Sequence, residues 1–163
     1  MPLIEIKKDS AAPTMTVVSE WAAPIDRVWL LWSDPRKLER WWGPPGYPGT
    51  VTEHDLTPGG KVVYYMTSPE GEKHYGWWQV ESVDAPRGFR IEDGFGDAKG
   101  NPAPKMPTTH MTVTLTELPG GSTRMLVASQ FPSREAMEQM IAMGMEEGIA
   151  AATGQIDAIL AEA

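Results

Sequence analysis

There is no cysteine in this chain. Disulfides, thiolate nucleophiles and cysteine-ligated metals are therefore excluded, and a reducing compartment is compatible with the composition. Basic residues are sparse: 14 Lys and Arg face 22 Asp and Glu, leaving a net charge of −8. The only adjacent basic pairs are Lys7–Lys8 and Arg36–Lys37. With no basic stripe to track phosphates, neither nucleic acid nor an anionic membrane surface is an expected partner. No run approaches the ~20 apolar residues that span a bilayer. The start, MPLIEIKKDS, lacks the basic-then-apolar order of a secretory signal. A cytoplasmic protein without membrane insertion is expected. Histidine is also scarce: His54, His74 and His110 fall in separate segments, without metal-ligand spacing. Glycine-rich phosphate loops and nucleophile-elbow serines are missing too, so no cofactor, metal or catalytic residue is assigned.

Tryptophan, methionine, glycine and proline, by contrast, are plentiful, and the stretch LERWWGPPGYPGT (residues 38–50) concentrates three of them. Trp41 and Trp42 offer apolar area with a polar N–H at one edge, while the Gly/Pro run behind them ends a helix in a stiff, irregular path. The rest of the 163 residues suits one domain spanning 1–163. Residues 14–22, TMTVVSEWA with its alternation and β-branched side chains, read as a strand. Two short helices follow. The first has Pro24 in its opening turn and Val28, Leu31 and Trp32 on one face; the second has Asp34 as N-cap, Pro35 as its first residue and Gly43 as its stop. Strand patterns then cover residues 50–56, 61–67, 74–83, 89–93, 108–118 and 123–131, with an irregular Gly/Pro-rich loop at 94–107. From Ser133 onward the period becomes 3.6, with Met137, Met140, Ile141, Gly144, Gly148, Ala152, Ile156 and Ile159 on one broad face. A continuous helix of that length would run roughly 40 Å, enough to cross a sheet. The expected architecture is α+β: a curved antiparallel sheet of about six to seven strands around one long C-terminal helix.

Three phrases in that order, AAPIDRVWLLWSDPRKLERWWGP, DLTPGGKVVYYM and MGMEEGIAAATGQIDAIL, resemble the START-like helix-grip superfamily. Within it the chain resembles the branch named after the activator of the heat-shock-protein-90 ATPase. The resemblance spans nearly the whole chain and implies a cavity between sheet and helix. It implies no single function, because the superfamily includes lipid carriers, aromatic cyclases, hydroxylase domains and chaperone cofactors.

Strand alternation sorts the candidate lining of that cavity. Thr52, His54 and Leu56 form one inward set, chosen because the opposite face would bury Glu53 and Asp55. Val62, Tyr64 and Met66 form the next, then His74, Gly76, Trp78 and Val80, preferred over the set that buries Glu81. Phe89, Ile91 and Asp93 follow, then Met111, Val113 and Leu115, and Met125, Val127, Ser129 and Phe131. The helix adds Met137, Ile141, Gly144, Met145, Gly148 and Ala152. Gly144 and Gly148 either let the helix approach the sheet closely or leave room for a ligand. The methionines either fill core gaps or mould around one. Of Trp41 and Trp42, one is expected to plug the gap between the short helices and the sheet. The other would stand at the mouth, with residues 44–49 as rim and the 94–107 loop as a second edge; plain core packing of both is the alternative.

The resulting candidate ligand-binding set is Trp41, Trp42, His54, Tyr64, Met66, His74, Trp78, Met111, Met137, Ile141, Gly144, Met145 and Gly148. The function expected from it is non-enzymatic binding of a small apolar, aromatic or lipid-like molecule, with His54, His74 and Tyr64 orienting its polar end. A chaperone cofactor or other interaction module is the alternative, although the eukaryotic activators carry a further chaperone-binding domain for which this length leaves no room. A cyclase- or hydrolase-type enzyme using His54 or His74 with Asp93 and Tyr64 is a third reading. An exposed tryptophan at the mouth would equally suit a homodimer contact.

Overall fold

The computed structural model describes residues 4–9, 11–97, 99, 101–103 and 108–162. Among the described residues, eight antiparallel strands form one curved sheet: β1 (Ile4–Asp9), β2 (Thr14–Trp21), β3 (Gly49–His54), β4 (Lys61–Thr67), β5 (Lys73–Asp84), β6 (Gly88–Gly96), β7 (Thr109–Leu118) and β8 (Ser122–Gln130). Their order across the sheet is β1-β2-β8-β7-β6-β5-β4-β3. From β3 to β8 it is a simple meander. The first two strands then add to the far side of β8. β1 lies outside the expected strands; its alternation is short and its charges (Glu5, Lys7, Lys8, Asp9) hide it. β6 also runs on to Gly96, into what reads as loop in the sequence.

Two helices, α1 (Ile25–Ser33) and α2 (Pro35–Trp41), interrupt the strands. Asp34 caps α2 by accepting a hydrogen bond from the Arg36 N–H at 2.9 Å, and Pro35 occupies the first turn. Ile25, Val28, Leu31 and Trp32 turn inward from α1. They meet Trp78, Val80, Phe89, Ile91, Met111, Val113 and Leu115 from the sheet in one continuous core.

The expected single C-terminal helix is broken. Its residues form α3 (Arg134–Ala142), α4 (Met145–Thr153) and α5 (Ile156–Leu160). The first break is sharp: Gly144 has φ 91°, in the left-handed region that a side chain disfavours. The second is slight, since Gly154 and Gln155 stay in the right-handed helical region. Ser133 caps α3, accepting from the Ala136 N–H at 3.0 Å.

A second correction concerns β3. Its register against β4 shifts between Val51 and Glu53. The bulge puts Val51 and His54 on the inner face and leaves Thr52 exposed, so strict alternation misplaces the first half of the strand.

Candidate functional site

The Trp41–Gly43 corner is fixed from two sides. Trp41 is buried and donates its indole N–H to the Leu31 carbonyl at 2.9 Å. The Gln155 amide donates to the Gly43 carbonyl at 2.6 Å and to that of Trp41 at 3.3 Å, clamping the corner to the C-terminal arm. Gly43 is required here: a Cβ at this position would lie 2.0 Å from the Tyr47 carbonyl oxygen. Thus held, Trp42 projects inward, half-buried, while Trp41 fills the gap behind it.

Trp42 is one wall of an aromatic group. Its ring meets Trp78 at 5.2 Å and 86°, and Tyr64 at 6.2 Å and 90°. Trp32, with no exposed surface, touches Trp41, Trp42, Trp78 and Phe89. Most of these pairs are edge-to-face, the geometry that ring quadrupoles favour. The indole N–H of Trp32 turns to the Met125 sulfur at 3.4 Å. Those of Trp42 and Trp78 are buried without a hydrogen-bond partner among the described residues. Both lie beside the Tyr64 hydroxyl and favour its ionised form, against burial and the nearby Asp93 carboxylate, which raise its pKa well above the ordinary phenol range.

Between these rings and the C-terminal arm is a cavity of about 330 Å³. The sheet side includes Tyr64, Met66, His74, Asp93, Met111, Met125 and Ser129. Gly76 matters beneath Tyr64, because a Cβ there would stand 2.4 Å from the phenol oxygen. The helical side includes Met140, Met143, Gly144, Met145, Gly148 and Ala152. A Cβ built on Gly144 or Gly148 meets nothing within 4 Å, so neither glycine serves close helix-to-sheet packing. Gly144 answers to its left-handed backbone, and Gly148 leaves space.

The same space brings together most of the candidate residues: Trp41, Trp42, Tyr64, Met66, His74, Met111, Gly144, Met145 and Gly148 all border it. Four candidates lie elsewhere. His54 donates from Nε2 to the Trp32 carbonyl at 3.0 Å, tying β3 to the end of α1. Trp78 is fully buried behind Tyr64 and Trp42. Met137 packs with Met15 and Phe131 in a separate small cluster, and Ile141 lies against that cluster. Of the expected rim, Pro44 borders the cavity, as do Gly94 and Phe95 from the 94–107 segment; residues 98, 100 and 104–107 of that segment lie outside the described residues.

The family model described as Activator of Hsp90 ATPase homolog 1-like protein matches residues 22–161. The chain belongs to this family. Like it in structure is protein Ms6760 from Mycobacterium smegmatis, 43% identical over 99% of both chains with a TM-score of 0.90. A protein from Arthrobacter aurescens is 47% identical over 98% of this chain and 92% of its own, with a TM-score of 0.91. One from Staphylococcus epidermidis is 29% identical over 96% of this chain and 92% of its own, with a TM-score of 0.81. No curated protein matches the sequence significantly.

Asp93 is the acid that this member of the activator-homologue family sets against the cavity. The Thr109 hydroxyl donates to one of its oxygens. Burial pushes its carboxyl up to about 6, with a smaller upward push from Glu92 and opposing pulls from Thr109 and His110. The folded chain therefore holds this proton more tightly than the unfolded one. Its contribution to stability is full below the unfolded value and is lost as pH rises through about 6. Relative to Asp93→Asn, the wild type should lose on the order of 1–3 kcal/mol between about pH 4 and about pH 8, measured by urea unfolding. Parallel pH profiles for the two proteins would contradict this account of Asp93.

Proposed function

We propose that this protein binds a small apolar or amphipathic molecule in the cavity between the sheet and the C-terminal arm, without transforming it. One observation carries the reading. A space of about 330 Å³ is walled by tryptophan and methionine, yet has Tyr64, Asp93 and Ser129 converging on it. That is the composition of a ligand site: apolar area for affinity and a few polar groups for orientation. Methionine thioethers on the helical side suit ligands of varied shape. Gly148 supports the reading further, since a glycine inside a helix costs about 0.8–1 kcal/mol relative to alanine and here keeps volume open. The family's name points instead to a chaperone; the cavity favours a small ligand.

Native mass spectrometry of freshly purified protein, set against its denatured mass, tests this. A reproducible extra mass lost on denaturation is expected, together with a rise in melting temperature when the extracted compound is added back. A bare mass, and no stabilisation by any compound of a broad apolar set, would overturn the proposal.

A further inference from the structure

The charge of the cavity wall bears on what kind of molecule it takes. No lysine or arginine borders the cavity among the described residues; the acid is Asp93, and His74 stands at the exposed mouth. A fatty acid or other carboxylate would bring a negative charge into a space where no lysine or arginine among the described residues meets it and one carboxylate repels it. A cation meets the opposite conditions. Asp93 receives a hydrogen bond from Thr109 on one oxygen, and no hydrogen bond from the described residues reaches the other. Trp42, Tyr64 and Phe95 border the same space, and aromatic ring faces attract positive charge. A buried carboxylate inside an aromatic wall is a setting that an ammonium group completes and a carboxylate disrupts.

We infer that, if the cavity binds a small ligand as proposed above, that ligand is an apolar amine whose ammonium nitrogen pairs with Asp93 against the Tyr64 and Trp42 rings. The hydrocarbon part then extends along the methionines and Gly148 of α4. An ionised Asp93 has one protein hydrogen bond to offset its burial; the ligand's N–H groups supply further ones, and charge-assisted bonds of this kind are the strong ones. The acidic surface, at net charge −8, also concentrates cations near the mouth.

Other titratable groups act on Asp93 or border the same cavity. Tyr64 faces it from β4, Glu92 precedes it on β6, His110 lies on β7, and His74 stands at the mouth on β5. Met140, Met143, Met145, Ile149 and Thr153 oppose it from the helical side, and none of them is charged.

The test is a matched series of n-octylamine, 1-octanol and octanoate, titrated calorimetrically into the intact protein at about pH 8, where Asp93 is ionised. The amine is expected to bind about tenfold or more tightly than the alcohol, and octanoate more weakly than either. Asp93→Asn should bring the amine down to the alcohol's affinity while leaving the alcohol unchanged. Should that variant fold poorly, the wild type at about pH 5 serves instead, where protonation of Asp93 should cancel the amine's advantage. His74→Gln, carried through the same pH pair, separates the histidine at the mouth from the acid inside; cancellation must survive in it. Equal binding of amine and alcohol at about pH 8 would overturn the amine inference and leave the ligand-binding reading standing. No binding by any of the three would overturn the reading of the site itself.

Discussion

Trp32→Ala is expected to lower the unfolding free energy by about 3–5 kcal/mol. The reason is its position as the hub of the aromatic group. With no exposed surface, it meets Trp41 at 4.7 Å, Phe89 at 5.3 Å, Trp42 at 5.6 Å and Trp78 at 6.1 Å. Truncation removes the ring's apolar burial and leaves a void that four large, rigid rings cannot collapse to fill. It also removes the N–H contact to Met125. Trp32→Phe separates these contributions. It keeps a ring in place, so a loss well below that of alanine is expected, with part of it due to volume and part to the missing N–H. Urea unfolding monitored by tryptophan fluorescence measures both. A loss below about 1.5 kcal/mol for alanine, in the range of tolerated hydrophobic swaps, would mean the hub is loosely packed.

Gly148→Leu is expected to abolish ligand binding while keeping or raising stability. The two effects oppose each other, which makes the variant informative. Leucine is favoured over glycine inside a helix by about 0.8 kcal/mol, so α4 should strengthen. Nothing lies within 4 Å of a Cβ at this position, so the side chain enters the cavity without collision at its root. Once there, four added carbons occupy space that the hydrocarbon part of a ligand needs, in a cavity of only about 330 Å³. Binding of 1-octanol should fall below calorimetric detection with an unchanged or higher melting temperature. Undiminished binding in a stable variant would place the ligand somewhere other than under α4.

Sequence reading succeeded where one residue carries a local instruction. Asp34 followed by Pro35 is a helix start independent of its surroundings, and the α2 cap forms accordingly. The alternation in β7 buries Met111, Val113 and Leu115 as expected. It failed where instructions depend on a neighbouring strand. The β3 bulge is a property of the pairing with β4, and no residue within the strand announces that Val51 takes the place given to Thr52. His54 was legible as inward-facing but not as bonded to α1, because its carbonyl partner belongs to Trp32, 22 residues earlier. The break at Gly144 is hidden by a periodicity that continues on both sides of it. Among the cavity residues, the sequence placed Asp93 on the inward face with Phe89 and Ile91 but gave it chemistry only as a companion of the histidines. Its role as the cavity's own charge follows from strand order: β6 lies between β5 and β7, which sets Asp93 beside Thr109 and across from Trp78.

The strand order also has a temporal meaning. β2 pairs along its full length with β8, so that Thr14 stands opposite Gln130 and Trp21 opposite Thr123. During synthesis the β1–β2 hairpin emerges first but lacks its neighbour until the last strand leaves the ribosome. The meander from β3 to β8 can assemble by short-range closures, whereas docking the amino-terminal hairpin joins residues more than a hundred positions apart. Such long loop closures slow folding. A waiting β2, carrying Met15, Val17 and Trp21 on one face, is thus the stretch most open to mispairing while the chain is incomplete.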